Sequence, residues 1–199
     1  FTYKGGTYPG TGGTCGATLN AAANCTVTVV FAPVATGTFS DTIEISYFNG
    51  ASTQIGSRNI QGIGALPGTL VISDGPTFNF GSWPNGSTQE KTFTVTNTGG
   101  VPVTAIAGSG LGAPYTFKGG SYPGTGGTCA ATLNAGANCT MVVQYSPASL
   151  GATSDTIQLD YNDGVNAQTS TRDVQGTAVA PALLTVSDGA TYDFGTLAV

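Results

Sequence analysis

The sequence predicts an all-β protein made of tandem immunoglobulin-like β-sandwich domains, and three observations predict it. Apolar residues alternate with Thr, Ser and Gln at period two, the pattern of strands buried on one face. No window of eleven residues carries a helical stripe, because Gly or Pro interrupts almost every candidate. Residues 1–85 are read again at 115–199 without insertion or deletion. Tyr3-Lys4-Gly5-Gly6 returns as Phe117-Lys118-Gly119-Gly120, an offset of 114 (118 − 4). A solenoid unit runs roughly 20–50 residues, so this period marks an array of whole domains.

The period sets the organisation. Residues 68–181 form one complete repeat, 1–67 the C-terminal part of another that lacks its N-terminal strands, and 182–199 the first strand region of a third. The chain reads as an excerpt of a longer polypeptide, and a bare 1–67 piece has an open core unless a neighbour covers it. Strands are expected in order along the complete copy, first near 69–73 and 77–81. Phe93 and Val95 then alternate with Thr92, Thr94 and Thr96 up to the turn signal Asn97-Thr98-Gly99-Gly100. Val101, Val103 and Ala105 open the next strand, and another lies near 114–118. Met141, Val143 and Tyr145 share an apolar face, as do Val27, Val29 and Phe31 in the first copy. Ile157, Leu159 and Tyr161 form a further inward row, matched by Ile43, Ile45 and Tyr47, and a last strand spans 167–176. Seven to eight short strands in a unit of this size are a sandwich signature. Leu66-Pro67-Gly68 and Ala180-Pro181-Ala182 are short, stiff junctions between copies.

Composition excludes several function classes. Charged residues make up 8% of the chain, with five basic, ten acidic and no histidine. Five scattered cations cannot displace the counterions of a nucleic acid. An apolar content of 40% with so little charge is globular rather than disordered. Surfaces built on Thr, Ser, Asn and Gly suit an extracellular protein, and no apolar run is long enough to span a bilayer.

Four cysteines fall as Cys15/Cys25 and Cys129/Cys139, the same pair in each copy. Zinc needs four converging ligands, and each copy offers two thiols and no histidine. A redox pair would be spaced Cys-x-x-Cys, which these are not. One structural disulfide per domain fits best, which implies an oxidising compartment.

No constellation for catalysis stands out, and an enzyme is not expected. Without histidine, Ser-His and Cys-His arrangements are excluded. Asp74 and Asp155 recur as Asp188 and Asp41, each in a Ser-Asp context that suits turn capping better than paired-carboxylate chemistry. Asp160, Asn162, Asp163 and Gly164 could suggest calcium, but the first copy has Ser46, Phe48, Asn49 and Gly50 there, so a hairpin turn is the better account. No metal or other cofactor is expected. The glycine-rich segments 4–14 and 118–128 lack the Gly-Lys-Ser/Thr ending of a phosphate loop. They carry Tyr8 and Tyr122, which either stack on a sugar or a neighbouring subunit, or plug their own sandwich. Lys4, Lys118, Arg58 and Arg172 recur at equivalent places, and Asp41 and Asp155 are their expected partners.

The order of motifs in the complete copy carries a resemblance. Thr77-Phe78-Asn79-Phe80-Gly81 precedes Thr94-Val95-Thr96-Asn97-Thr98-Gly99. Cys129, Leu133, Gly136-Ala137-Asn138-Cys139-Thr140 and Tyr145-Ser146-Pro147 follow, then Gly151, Ser154-Asp155-Thr156-Ile157 and Val174-Gln175-Gly176-Thr177. This order resembles the bacterial choice-of-anchor D repeats, relatives of the Hydin-like and major-sperm-protein-like immunoglobulin domains. The resemblance implies a sandwich repeated in large surface or secreted bacterial proteins, without catalytic residues.

Two functions follow as expectations. The first is a non-catalytic structural repeat of a long extracellular bacterial surface protein, acting as stalk, adhesin shaft or filament subunit. Its partners would be neighbouring repeats, and other copies by strand complementation. The alternative is a carbohydrate- or protein-binding module of a secreted enzyme or adhesin, using Tyr8 and Tyr122. Trp83 is the only tryptophan and becomes Leu197 in the third copy, so it cannot found a repeated platform.

Overall fold

A computed structural model describes residues 1–199, which divide into two compact units, Phe1–Leu66 and Pro67–Val199. Unit 1 holds a small antiparallel pair, β1 (Thr2–Tyr3) with β2 (Val29–Val30), and a long hairpin of β3 (Gly37–Phe48) and β4 (Thr53–Gly64). Unit 2 contains β5 (Leu70–Ile72), β6 (Thr77–Pro84), β7 (Gln89–Asn97), β8 (Thr104–Ser109), β9 (Tyr115–Phe117), β10 (Asn138–Tyr145), β11 (Gly151–Asn162) and β12 (Ala167–Val179). These form two four-stranded sheets, ordered β5-β7-β10-β9 and β6-β12-β11-β8. The fold is all-β and immunoglobulin-like.

The core of unit 2 lies between the sheets. Leu70, Ile72, Phe93, Val95, Met141, Val143 and Tyr145 descend from one, and Phe80, Ile157, Leu159 and Val174 rise from the other. Hydroxyl groups tie the layers together at their margins. Leu70 N donates to Tyr161 Oη at 3.3 Å, and Tyr115 Oη donates to the Thr153 carbonyl at 3.0 Å.

The same strands are half-covered in unit 1. Tyr47 is 53% exposed where its counterpart Tyr161 is 8% exposed, and Ile43 and Ile45 are half-buried where Ile157 and Leu159 are sealed. The cover in unit 2 comes from β5 to β8, which have no counterpart in residues 1–66.

Residues 182–199 carry no assigned strand. One sequence expectation needs correction. Ala105 does not continue the inward row of Val101 and Val103. It adopts a φ of 53°, and the β8–β11 register slips between Asp160 and Asn162. This bulge inserts one residue, so Ile106 faces the core instead.

The turn signal at Asn97 also hides a buried anchor. Asn97 shares the inward phase of Phe93 and Val95 and is fully buried. Its Oδ1 accepts from Thr69 N (3.1 Å) and Gly99 N (3.0 Å), while Nδ2 donates to the carbonyls of Val101 (2.9 Å) and Leu133 (3.1 Å). Every hydrogen-bonding position of the amide is filled, which is what makes its burial tolerable. Replacing it with alanine strands several backbone groups in the core. Asn97→Ala should therefore destabilise unit 2 by about 3 kcal/mol, read as a lower midpoint in urea unfolding.

Candidate functional site

The glycine-rich loop of unit 2 prolongs β9 as an irregular edge alongside β10. Lys118 N donates to the Val142 carbonyl (2.9 Å), Val142 N to that of Pro123 (2.8 Å), and Thr128 N and Cys129 N to that of Thr140 (2.8 and 3.0 Å). Gly124 sits at a φ of 87°, where a Cβ would strike the Val142 carbonyl oxygen, so only glycine fits. The first copy repeats the arrangement, with Lys4 N donating to Thr28 O and Thr28 N to Pro9 O. Both loops contain a cis Tyr–Pro bond.

Tyr122, which the sequence offers either as a ligand or subunit contact or as a plug of its own sandwich, is turned inward. Its ring meets Phe117 edge-on at 5.5 Å and fills the space left by Gly108, where a Cβ would overlap it. Burial of the phenol pushes its pKa up to about 12. Tyr8 makes the same edge contact with Tyr3 at 5.6 Å but is 42% exposed, because no strand equivalent to β8 lies over it.

The cysteines form two disulfides, Cys15–Cys25 and Cys129–Cys139. In unit 2 the ring closes a loop that runs from β10 to the free edge of β8. Val103 and Leu133 exchange both backbone hydrogen bonds at 3.0 Å, and Ile106 N donates to the Ala131 carbonyl at 3.1 Å. The crosslink thus holds a lid over an edge strand that would otherwise present unpaired amides.

The acidic residues serve the backbone. Asp155 accepts from Gly112 N (2.7 Å) and Thr156 N (2.8 Å). Asp163, nearly buried, accepts from Asn166 N, Val165 N and Gln168 Nε2, and these bonds, led by that of Asn166, lower its pKa. Asp74, at a φ of 62°, accepts from Ser73 Oγ and from Lys91 Nζ, which lower its pKa in that order. No group of three or more His, Cys, Asp and Glu side chains converges anywhere.

The expected pairing of the recurrent cations with Asp155 does not occur. Lys118 Nζ binds Glu90 at 2.8 Å, and the Arg172 guanidinium donates to the carbonyls of Pro76 and Ile72. Sequence reasoning misses this role because the acceptors are main-chain atoms about a hundred residues away. The sheet formed by β6, β12, β11 and β8 carries a shallow groove lined by Asn79, Ser154 and Gln175 among others. Unit 1 has a similar groove in which Ser40 and Gln61 hold the equivalent positions.

Residues 71–177 match the HYDIN/CFA65/VesB-like Ig-like domain. The chain belongs to that family. Among solved structures, it is similar to the VesB protease of Vibrio cholerae at 18% identity and a TM-score of 0.45, over 55% of this chain and 32% of the protease. The chain therefore spans about a third of that protease. A PapD-like domain of human CEP192 aligns at 17% identity and a TM-score of 0.43, over 57% of this chain and 87% of that domain. A Porphyromonas gingivalis protein of unknown function aligns at 12% identity and a TM-score of 0.44, over 75% of this chain and 70% of its own. No curated protein matches the sequence. No helix is long and apolar enough to cross a membrane.

Titration should reveal the tyrosine plug. Because the folded pKa of Tyr122 lies above its unfolded value, its contribution to stability is complete below about pH 10. It should fade as the pH rises towards 12. Asp74 and Asp163 act in the opposite sense: their contribution is present above about pH 4 and is lost as the pH falls through their lowered folded values. Gly108→Val should expel Tyr122 and return its ultraviolet titration towards that of an ordinary tyrosine. Replacing Cys129 and Cys139 together by serine should cost about 2–3 kcal/mol, measured by chemical unfolding against the oxidised protein.

Proposed function

We propose that this chain is a non-catalytic structural segment of a long extracellular bacterial protein of the choice-of-anchor D type, working as a stalk, adhesin shaft or filament subunit. The supporting observation is where the chain meets the complete sandwich. It arrives beside the β11–β12 hairpin, where Gly68 N donates to the Asp163 carbonyl at 2.8 Å. It leaves after Val179, whose carbonyl accepts from Asn85 N at 2.9 Å. The thirteen residues of β12 lie between these points, so each copy advances the chain by about 40 Å. Repetition at a fixed period turns that advance into length. Disulfides in both copies suit an oxidising exterior, and the absence of histidine leaves few routes to hydrolytic chemistry.

A second reading, carbohydrate binding, is favoured by the recurrence of a serine and a glutamine in the grooves of both units. Side-chain amides and hydroxyls are suitable partners for sugar hydroxyls. On that reading, a glycan array would show binding that Gln175→Ala abolishes.

Small-angle scattering on proteins carrying one, two and three complete copies tests the spacer. The maximum dimension should grow by about 40 Å per copy. Growth much slower than this, as in a folded-back cluster, overturns the proposal.

A further inference from the structure

The edge strand β6 runs parallel to β12, whereas every other strand pair is antiparallel. Its register runs from Thr77 opposite Asp173 to Pro84 opposite Val179. Between the arrival of the chain and β6 lies only β5, held to β7 by three antiparallel pairs, and β12 is the last element before the chain leaves. Tension along the chain therefore draws β6 backwards, towards its own N-terminal end, and β12 forwards. Two parallel neighbours pulled this way slide past each other, and all their hydrogen bonds resist together. In an antiparallel hairpin pulled from its open end, the bonds would instead break in succession.

Arg172 extends this contact. It lies on β12 one residue before the ladder begins, in phase with Val174. Its guanidinium donates to the carbonyls of Pro76 (2.8 Å) and Ile72, at the two ends of the turn between β5 and β6. The guanidinium lies against Gly75, where any Cβ would overlap it. Lys91, bound to Asp74 at 3.0 Å and over the Phe78 ring at 4.7 Å, fastens the same turn to β7. Two of the five cations in the chain are thus committed to one turn.

We propose that the β6–β12 ladder, extended by Arg172 onto the β5–β6 turn, is a mechanical clamp that keeps unit 2 closed when the chain is pulled end to end. The clamp deepens the spacer reading and rests on it for its purpose, since a spacer between anchored ends carries load. Its geometry belongs to unit 2 alone.

Single-molecule stretching of the full chain through its two ends tests it. Unit 2 should open in one dominant rupture that frees residues 77–179 except those inside the Cys129–Cys139 ring, roughly 300 Å of chain. Reduction should lengthen that step by about 30 Å, because the ring hides ten residues of separation. Forced opening is governed by the unfolding rate. Arg172→Met keeps the apolar stem and removes the donors, so it should raise the rate at fixed force by about tenfold or more. Val103→Ala, away from the loaded pair, should raise it less for the same loss of thermal stability. Unit 2 extending through a series of small steps overturns the clamp, as does Val103→Ala accelerating rupture as much as Arg172→Met. The stepwise readout needs only the unmodified chain, so it decides even if a variant does not fold. A clamp that fails while scattering still shows about 40 Å per copy leaves the spacer standing, and the converse result separates them equally.

Discussion

The structure depends on one constraint: a sheet with an apolar face must have a second sheet laid against it. The chain displays both outcomes with nearly the same residues. In unit 2, Ile157, Leu159 and Val174 meet Phe93, Val95 and Val143 and lose all contact with water. In unit 1, the hairpin of β3 and β4 has the same alternation and the same twelve-pair ladder as its counterpart, yet Tyr47, Phe48 and Ile63 remain largely exposed. The ladder inside the hairpin is alike in both, but in unit 2 β8 and β6 also pair with its two outer edges, whereas in unit 1 the hairpin is a sheet of two strands. Edge partners and a covering layer together separate them, which places the stability of a copy in the whole sandwich rather than in its hairpin.

Much of this is legible in the sequence, for local reasons. Period-two alternation identifies which residues of a strand face inwards, and it places Phe93, Val95, Met141, Tyr145 and Ile157 correctly. It fails at Ala105, because a bulge resets the phase and leaves no mark in hydrophobicity. Asn97 reads as a turn residue, which it is, although its phase already sets it among the buried side chains. Alternation carries no information about which strands pair or in which direction, so the parallel union of β6 with β12 is invisible to it.

The candidate site divides in the same way. The cysteine pairs are readable from their spacing and recurrence, whereas the role of their loop is not, since β8 ends 20 residues before it (129 − 109). The sequence offers Tyr122 as either plug or platform. The deciding feature is the missing side chain of Gly108, on a different strand. Arg172 stands out because cations are scarce, but scarcity suggests carboxylate partners, and the acceptors are carbonyl groups of a turn.

The treatment of strand borders has a consequence for synthesis. Adjacent domains with near-duplicate sequences are prone to exchange segments while they fold, since each strand finds a matching partner next door. Here β5 and β9 are three residues long, β6 is interrupted at Gly81 with a φ of 87°, and the flank of β8 is occupied by its own oxidised loop. A neighbouring chain therefore finds few vacant amides to capture at these borders, which favours a domain that matures without exchanging strands.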